Sequence, residues 1–477
     1  MHRSTAGPVR TFRALTAPLR LLMLTQLGFN IGFYLVVPFL AAYMENELRL
    51  TGAVIGAVLG LRTFSQQGMF FVGGAIADRW GVWRSIVIGC LVRIAGFFTL
   101  ATATGVVAMV VGVVLVGLAA ALFSPALESA VSSWGERLEC EGGPSRTEIW
   151  ALEGIVSQVG AVVGPLLGAV LLVVPFETTC VIAAGVFGLI LLAQLVWLPR
   201  GSRASEHTSV GRALAVVGRN RVFLAFAVLH SCYLVSYNQL YLALPAELDR
   251  IGAPAAAISW YFLLAAVVMI VGAMPLARLA RRLGPPRAFA LGYLALACCF
   301  LPVAGFAPVE LHGPARYLPA AAFVALVHVG QMLVLPMARD IVGVMATGRA
   351  VGSYLGALST IGGAAVLAGS ATVGQVIDLA REPGLSAMTP WLVLALFPAV
   401  ASGAVPALLR RHDIGLPNQP RPPGEPDAPA SAAASAPTPH SSPLRFGTAR
   451  RARECTDAAR GRTARPGRTR PRSDPTA

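Results

Sequence analysis

The stretch that decides the fold is Gly73-Gly74-Ala75-Ile76-Ala77-Asp78-Arg79-Trp80-Gly81-Val82-Trp83-Arg84. It places adjacent acidic and basic residues between two glycine positions, which is unusual for a loop in solvent. Apolar sequence flanks it on both sides, and a membrane-spanning helix needs about 20 such residues. The stretch therefore predicts a compact charged turn between two membrane-spanning helices.

The composition is that of a membrane protein. Hydrophobic residues make up 55% of the 477 residues and charged residues 13%, whereas soluble domains carry about 25% charged residues. The net charge of +15 comes from arginine alone, because the sequence contains no lysine. Most of these arginines lie in short loops between apolar runs or in the C-terminal tail, which excludes a soluble enzyme and a nucleic-acid partner.

Division of the chain at charges, prolines and glycine-rich turns predicts twelve membrane spans. They cover residues 18–43, 52–77, 85–104, 106–128, 150–174, 178–199, 221–246, 255–279, 287–307, 317–339, 350–378 and 390–409.

The arginines also predict the orientation in the membrane. One side collects 21 of them without the tail, and the other side has four, at Arg49, Arg250, Arg316 and Arg381. Basic loops stay on the cytoplasmic side. We therefore expect a multi-pass protein of the cell inner (plasma) membrane with both termini in the cytoplasm.

The longest internal loop follows the sixth span and suggests two six-helix halves. The expected domains are a cytoplasmic N-terminus (1–17), the first half (18–199), a cytoplasmic linker (200–220), the second half (221–410) and a tail (411–477). The tail is rich in Arg, Pro and Ala, which predicts disorder. After span eight, Gly284 and Arg287 fall in register with Gly81 and Arg84, as in a degraded repeat.

Two motifs carry a resemblance to a known family. Residues 74–84 resemble motif A of the major facilitator superfamily, with Gly74, Asp78, Arg79, Gly81 and Arg84 in its pattern. Residues 160–169 resemble motif C, which marks drug:proton antiporters, through Gly160, Gly164, Pro165 and Gly168. Residues 59–79 are similar to the MdtH-like bacterial multidrug exporters. The resemblance implies an all-α membrane protein with twelve helices in two pseudo-symmetric halves.

The resemblance also implies a role for Asp78, as a carboxylate that faces the start of span eleven near Gly352 to Gly356. Such a carboxylate at a helix N-terminus is stabilised by about 0.3–1 kcal/mol. It would favour the conformation closed toward the cytoplasm. Three features depart from the family: Val82 and Trp83 replace a basic pair, span four has no arginine near Val113, and span one has no carboxylate.

Charged residues inside predicted spans are functional candidates, because an ionisable group at mid-membrane is costly. Arg62 and Arg93 are the deepest cations. For proton carriage we rank Glu153, Glu128 and Asp340 in that order, and Glu128 is also a candidate for a charge relay with Asp78 and Arg84.

Span seven supplies the candidate substrate pocket: His230, Tyr233, Tyr237, Asn238 and Tyr241. Four of these positions (230, 233, 237 and 241) share one helical face, and an aromatic face with polar tips suits a flat amphipathic or cationic ligand. Ordinary helix packing explains the same pattern nearly as well. The sequence shows no phosphate-binding loop, catalytic triad spacing, cofactor motif or metal-ligand cluster.

These observations predict a transporter that works by alternating access. We expect it to export small amphipathic molecules in exchange for protons, as a monomer in the lipid bilayer and without a cofactor. A facilitator or uptake carrier of the same fold is the first alternative. A membrane sensor that transports nothing is the second.

Overall fold

The computed structural model describes residues 8–199, 217–309, 311–346, 351–380 and 384–414. Most of the predicted linker, the predicted tail beyond residue 414 and the first seven residues lie outside this range. The side chain of Asp78 is also outside it, although its backbone belongs to a helix. The regular structure within the described residues is helical.

The first half of the chain consists of eight helices and a π-helical turn, Phe64–Gly68, between α3 and α4. The helices are α1 (Pro8–Ala14), α2 (Ala17–Asn46), α3 (Gly52–Thr63), α4 (Phe70–Trp80), α5 (Val82–Ala101), α6 (Val106–Cys140), α7 (Arg146–Val170) and α8 (Phe176–Trp197).

Among its described residues, the second half has nine helices and short 3₁₀ turns. The helices are α9 (Arg221–His230), α10 (Cys232–Asn238), α11 (Ala243–Arg250), α12 (Ala257–Leu283), α13 (Pro285–Cys298), α14 (Leu301–Phe306), α15 (Leu318–Met345), α16 (Val351–Val376) and α17 (Thr389–Arg411).

Ten helices among the described residues are long and apolar enough to cross a membrane. The two predicted spans missing from this set, 52–77 and 221–246, are helical but interrupted. The π-helical turn breaks the first of them, and breaks at Ser231 and after Asn238 divide the second. With these two segments, the structure is consistent with the predicted count of twelve.

The packing of the helices repeats between the halves. In the first half α5 packs on α6 and α8, and in the second half α13 packs on α15 and α17. Contacts between the halves repeat in the same way, since α16 packs on α3 and α12 packs on α7. This equivalence confirms two pseudo-symmetric halves.

The turn after α4 supports the same repeat. Gly81 has φ 83° and ψ 163°, and Gly284, which follows α12, has φ 73° and ψ 163°. A positive φ is unfavourable for residues with a Cβ atom, so both positions favour glycine. The predicted register between Gly81 and Gly284 is therefore matched by an equal backbone conformation.

Close contact between the halves depends on a glycine stripe on α3. A Cβ atom at Gly52, Gly56 or Gly60 would collide with Ile377, Ser370 or Leu367, respectively, of the segment formed by α16 and the turn after it. Small residues permit such approach inside a bilayer, where packing drives helix association. The glycine face of α3 therefore serves tight packing between the halves.

We call the end of the bundle with Arg79, Arg84, Arg278 and Arg410 the arginine-rich end. The opposite end holds Gly52, Val170, Arg250 and Ile377. At the opposite end the halves touch, because Gly52 meets Ile377 and Ser259 of α12 donates a hydrogen bond to the carbonyl of Pro165 at 2.7 Å.

We expect Gly56→Leu to lower the free energy of unfolding by about 1–3 kcal/mol, which is the usual cost of overpacking a close interface. Thermal unfolding in detergent measures the change. Gly185→Leu is the matched control, because Gly185 is exposed and a Cβ there meets no atom within 4 Å. Equal unfolding temperatures for the two variants would contradict the role of the glycine stripe.

Candidate functional site

The two interrupted spans meet between the halves in a chain of buried hydrogen bonds. Arg62 Nη2 donates to Thr63 Oγ1 at 2.7 Å, and Thr63 Oγ1 donates to Asn238 Oδ1 at 2.7 Å. Asn238 Nδ2 then donates to Ser370 Oγ of α16 at 2.9 Å. Thr63 ends α3 just before the π-helical turn, and Asn238 ends α10. Interrupted membrane helices that meet near the centre of a bundle are typical of binding sites in transporters.

Arg62 lies in an aromatic environment and is only 3% exposed. Its guanidinium carbon is 5.3 Å from the ring centroid of Phe33 on α2 and 5.2 Å from that of Tyr241. Tyr34 and Tyr237 are also close enough to interact electrostatically with the guanidinium of Arg62. The cation therefore lies between aromatic residues of both halves.

Arg93 of α5 occupies a neighbouring position inside the first half, also 3% exposed. Its guanidinium lies against the rings of Phe29, Phe33 and Phe187 at 5.2–5.8 Å and donates to the carbonyl of Val116. Val116 is one turn beyond Val113, where the family pattern places an arginine of span four. An arginine of span three thus reaches this part of α6.

The two buried arginines lack acidic partners. Neither forms an ion pair with any residue that the structure describes, and the Nε atom of each makes no hydrogen bond. Arg62 and Arg93 are within electrostatic range of each other. The centre of the bundle therefore carries an uncompensated positive charge.

The pocket residues predicted on span seven fall into two groups. Tyr237 and Tyr241 contact each other, and Tyr241 faces Phe33 at 6.4 Å between ring centroids. With Asn238 they belong to a group that we call the central cluster: Phe33, Tyr34, Arg62, Thr63, Tyr237, Asn238, Tyr241 and Ser370. His230 instead packs inside the second half, where its Nδ1 is 2.7 Å from the hydroxyl of Tyr293. Tyr233 contacts His230, at 5.2 Å between ring centroids.

Glu153, the first-ranked proton candidate, belongs to a polar group between α2 and α7. Ser157 Oγ donates to Glu153 Oε1 at 3.2 Å. Gln26 and Asn30 of α2 each donate to Ser157 Oγ at 3.0 Å. All four side chains are partly exposed, so the carboxyl group is accessible and connected to span one, which has no carboxylate of its own.

The second carboxyl candidate, Glu128 on α6, lies within electrostatic range of Glu153 and of Arg339 on α15. Glu128, Arg339 and Asp340 are exposed. The residue of span ten that the structure brings toward Glu128 is thus Arg339, the neighbour of the predicted Asp340. Because Arg339 belongs to the second half, this electrostatic interaction acts between the two halves near the arginine-rich end.

The residues of motif A lie where α4 meets α5. Arg79 and Arg84 are exposed, and Gly74 lies beside Pro125 of α6. The predicted contact of Asp78 with Gly352 involves side chains outside the described part of the structure. Seven residues before Asp78 on α4, however, the ring of Phe71 lies against Gly356 of α16.

The motif C residues pack α7 onto α2. A Cβ atom at Gly160 or Gly164 would collide with Asn30 or Tyr34, and one at Gly168 would collide with Phe39. Pro165 accepts the hydrogen bond from Ser259 of the second half. Motif C therefore contributes to the contact at the opposite end as well as to the interior of the first half.

Sequence reasoning missed Tyr34, Thr63 and Ser370 of the central cluster. It also missed Ser259 at the opposite end and Arg339 near the arginine-rich end. Most are uncharged and lie within apolar runs, where a hydroxyl group commonly bonds to its own helix. The adjacency of Thr63 to Arg62 is the one signal that could have indicated a partner.

Comparison with known proteins agrees with this geometry, which is that of a helical membrane transporter with two packed halves. A model of the Major Facilitator Superfamily matches residues 22–370. The chain belongs to this superfamily of transporters and is a multi-pass membrane protein rather than an enzyme.

Curated relatives share most of the chain. A putative uncharacterized MFS-type transporter of Mycobacterium tuberculosis (strain CDC 1551 / Oshkosh) is 38% identical over 387 residues, which cover 79% of this chain and 90% of the relative. The multidrug resistance protein MdtH of Aeromonas hydrophila is 29% identical over 377 residues, 78% of this chain and 90% of MdtH. The resemblance to MdtH-like proteins is thereby confirmed.

Solved structures show the same fold. The nucleoside transporter NupG superposes with a TM-score of 0.68 at 17% identity, over 83% of this chain and 100% of that one. The peptide transporter POT in complex with sulfate superposes with a TM-score of 0.67 at 15% identity, over 85% of this chain and 98% of that one.

The hydrogen-bond chain between the halves generates a prediction for Thr63→Val, which keeps the side-chain shape and removes the hydroxyl group. It leaves Asn238 Oδ1 and Arg62 Nη2 without a partner, so we expect a loss of about 1–3 kcal/mol in the free energy of unfolding.

Thermal unfolding of the purified protein measures this loss. Thr99→Val is the matched control, because Thr99 is exposed and bonds only to the carbonyl of Ala95 in its own helix. If both variants unfold at the same temperature as the unmodified protein, the hydrogen bonds of Thr63 do not stabilise the fold.

Proposed function

We propose that this transporter exports small amphipathic, drug-like compounds across the inner membrane in exchange for protons. It works as a monomer by alternating access, with both termini in the cytoplasm. The observation that carries the proposal is the buried polar cluster where two interrupted helices, one from each half, meet at Thr63 and Asn238.

The contacts between the halves support alternating access. They are close at the opposite end, at Gly52 and Pro165, whereas Glu128 and Arg339 are exposed near the arginine-rich end. If the arginine-rich end is cytoplasmic, as the distribution of arginine indicates, this conformation admits a ligand from the cytoplasm. The proposed cycle then opens the opposite end and releases the ligand outside.

Two observations support export of drug-like compounds. Motif C is represented by Gly160, Gly164, Pro165 and Gly168, and a relative that aligns with 78% of this chain at 29% identity is named a multidrug resistance protein. The aromatic residues of the central cluster, Phe33, Tyr34, Tyr237 and Tyr241, would bind flat apolar groups in varied orientations.

For the coupled proton we propose Glu153 as the carrier. Its carboxylate accepts a hydrogen bond from Ser157 and is accessible, so it can exchange protons with water. Glu128 lies within electrostatic range of Glu153 and would influence its charge. Since Ser157 is bonded to Gln26 and Asn30, protonation of Glu153 would alter the contact between α7 and α2.

We further propose that Asp78 is a latch that holds the cytoplasmic side closed by binding the first turn of α16. A carboxylate there would be favoured by the partial positive charge of the helix N-terminus. The contact of Phe71 with Gly356 shows that α4 and α16 already approach each other close to this place.

The second candidate function is a facilitator of the same fold. The observation in its favour is that span one (residues 18–43) has no carboxylate and that the arginine expected near Val113 is absent. A facilitator would equilibrate its substrate without accumulating it.

Everted membrane vesicles distinguish these functions. We expect energised vesicles to accumulate at least one member of a panel of neutral, cationic and anionic amphipathic dyes, and a protonophore to abolish the accumulation. Vesicles without the protein are the control. Accumulation that survives the protonophore would exclude proton coupling, and equilibration without accumulation would identify a facilitator.

Two variants separate coupling from gating in the same vesicles. Glu153→Gln should abolish accumulation driven by the proton gradient but leave substrate exchange intact, because exchange needs no net proton movement. Asp78→Asn should slow both processes without changing the amount of inserted protein. Glu136→Gln, at an exposed carboxylate of α6, is the control; a loss of accumulation in this variant equal to that in Glu153→Gln would refute a specific role for Glu153.

A further inference from the structure

We propose that the guanidinium of Arg62 binds the acidic group of the transported substrate, which is a flat organic anion such as an aromatic carboxylate. This inference rests on the proposed transport function and names its substrate class. It revises the expectation of a cationic ligand, which came from the aromatic residues of span seven alone.

The first argument is charge. The ionisable groups in electrostatic range of Arg62 are three tyrosines and Arg93, and no carboxylate of the described residues is among them. A buried cation without a partner is unfavourable inside a membrane protein, and such residues mark ligand or ion sites. An anionic ligand would supply the missing charge, whereas a cationic ligand would add to the repulsion.

The second argument is hydrogen-bonding capacity. A guanidinium has five N–H donors, and Arg62 donates one to Thr63 and one, at 3.4 Å, to Gln66. The remaining donors include Nε, which makes no hydrogen bond. The planar arrangement of these donors matches a carboxylate, which accepts two parallel hydrogen bonds.

Tyrosine hydroxyl groups complete the set of donors. Tyr34 of α2 lies close to Tyr237 and Tyr241, and all three lie within electrostatic range of Arg62. They come from both halves of the protein. A carboxylate at Arg62 would therefore contact the first half through α3 and the second half through the tyrosines of the α9–α11 segment.

The third argument is access and shape. Arg62 is buried, but Phe33, Tyr34, Gln66 and Tyr237 around it are partly exposed. A ligand can thus approach the cation past these partly exposed side chains, three of which present aromatic walls. Flat aromatic groups stack favourably on such walls, which explains why the acidic group should be attached to a planar apolar body.

Arg93 contributes as a positioning residue. It lies on the Phe33 ring, 5.6 Å from its centroid, while Arg62 is 5.3 Å from the same centroid. Its bond to Val116 holds it inside the first half. Its charge raises the positive potential at Arg62 and thereby the attraction for an anion.

The test uses the full-length protein in lipid nanodiscs and three probes with one ring system: 2-naphthoate, 2-naphthamide and 2-naphthylmethylammonium. Calorimetric titration measures each dissociation constant. We expect naphthoate to bind at least about tenfold more tightly than the amide, from hydrogen bonds to a charged group, and the ammonium to bind more weakly than the amide.

Arg62→Gln should remove this preference, so that naphthoate binds no more tightly than the amide, while binding of the amide is unchanged. Arg62→Lys should retain part of it, because the charge remains but the planar donors are lost. Arg278→Gln removes an exposed cation and is the matched control, for which the preference should persist. Thermal unfolding checks that each variant is folded.

Tyr241→Phe offers a second test that does not depend on the stability of the arginine variants, since it keeps the ring and removes one hydroxyl donor. We expect a threefold to tenfold weaker binding of naphthoate and no change for the amide, about the loss of one hydrogen bond. Equal affinities of the unmodified protein for naphthoate and the amide, or no binding of any probe at millimolar concentration, would overturn the anion site.

The outcome is distinguishable from a failure of the proposed function. If vesicles accumulate none of the dyes while naphthoate binds through Arg62, the anion site is right and export is wrong. If vesicles accumulate cationic and neutral dyes and Arg62→Gln has no effect on any of them, export is right and the anion site is wrong.

Discussion

Two guanidinium groups held inside an apolar helix bundle are the constraint on which this structure depends. Inside a membrane, a buried cation needs hydrogen-bond acceptors, aromatic faces or a counter-charge. Arg93 obtains them within its own half, from Phe29, Phe187 and a carbonyl of α6. Arg62 lies where the halves meet and obtains them from Thr63 and Phe33 of its own half and from Tyr241 of the other. Part of its environment therefore depends on how the halves are arranged.

Much of the architecture was predictable because it rests on local patterns. Apolar runs of sufficient length predict the helices, and the glycines at 52, 56 and 60 predict a close helix contact. The charged turn at Asp78 and Arg79 identified the superfamily. The two interruptions were not predictable in the same way. Polar residues do occur there, such as Gln66 at the first and Asn238 at the second, but such residues also occur in continuous membrane helices. For that reason the two segments 52–77 and 221–246 were expected as continuous spans.

The candidate site was predictable only in part, and the reason is physical. Arg62, Glu153 and Tyr241 stand out in a sequence because charged or aromatic groups are conspicuous in an apolar run. Their partners are Thr63, Ser157 and Tyr34, which are ordinary residues of membrane helices. Distance along the chain hides the pairing: Thr63 and Asn238 are separated by 175 positions. The sequence pattern could therefore indicate which residues are costly to bury, but only the packing shows what offsets that cost.

The single-residue joints at Gly81 and Gly284 have a consequence for motion. Each is the single residue between two helices, α4 and α5 or α12 and α13. The backbone at each joint is held in one conformation that other residues disfavour. Neither hairpin can open by lengthening its loop, so each pair must turn as a unit and any bending must occur elsewhere. The interrupted segments at Phe64–Gly68 and around Ser231 are where the chain has that freedom.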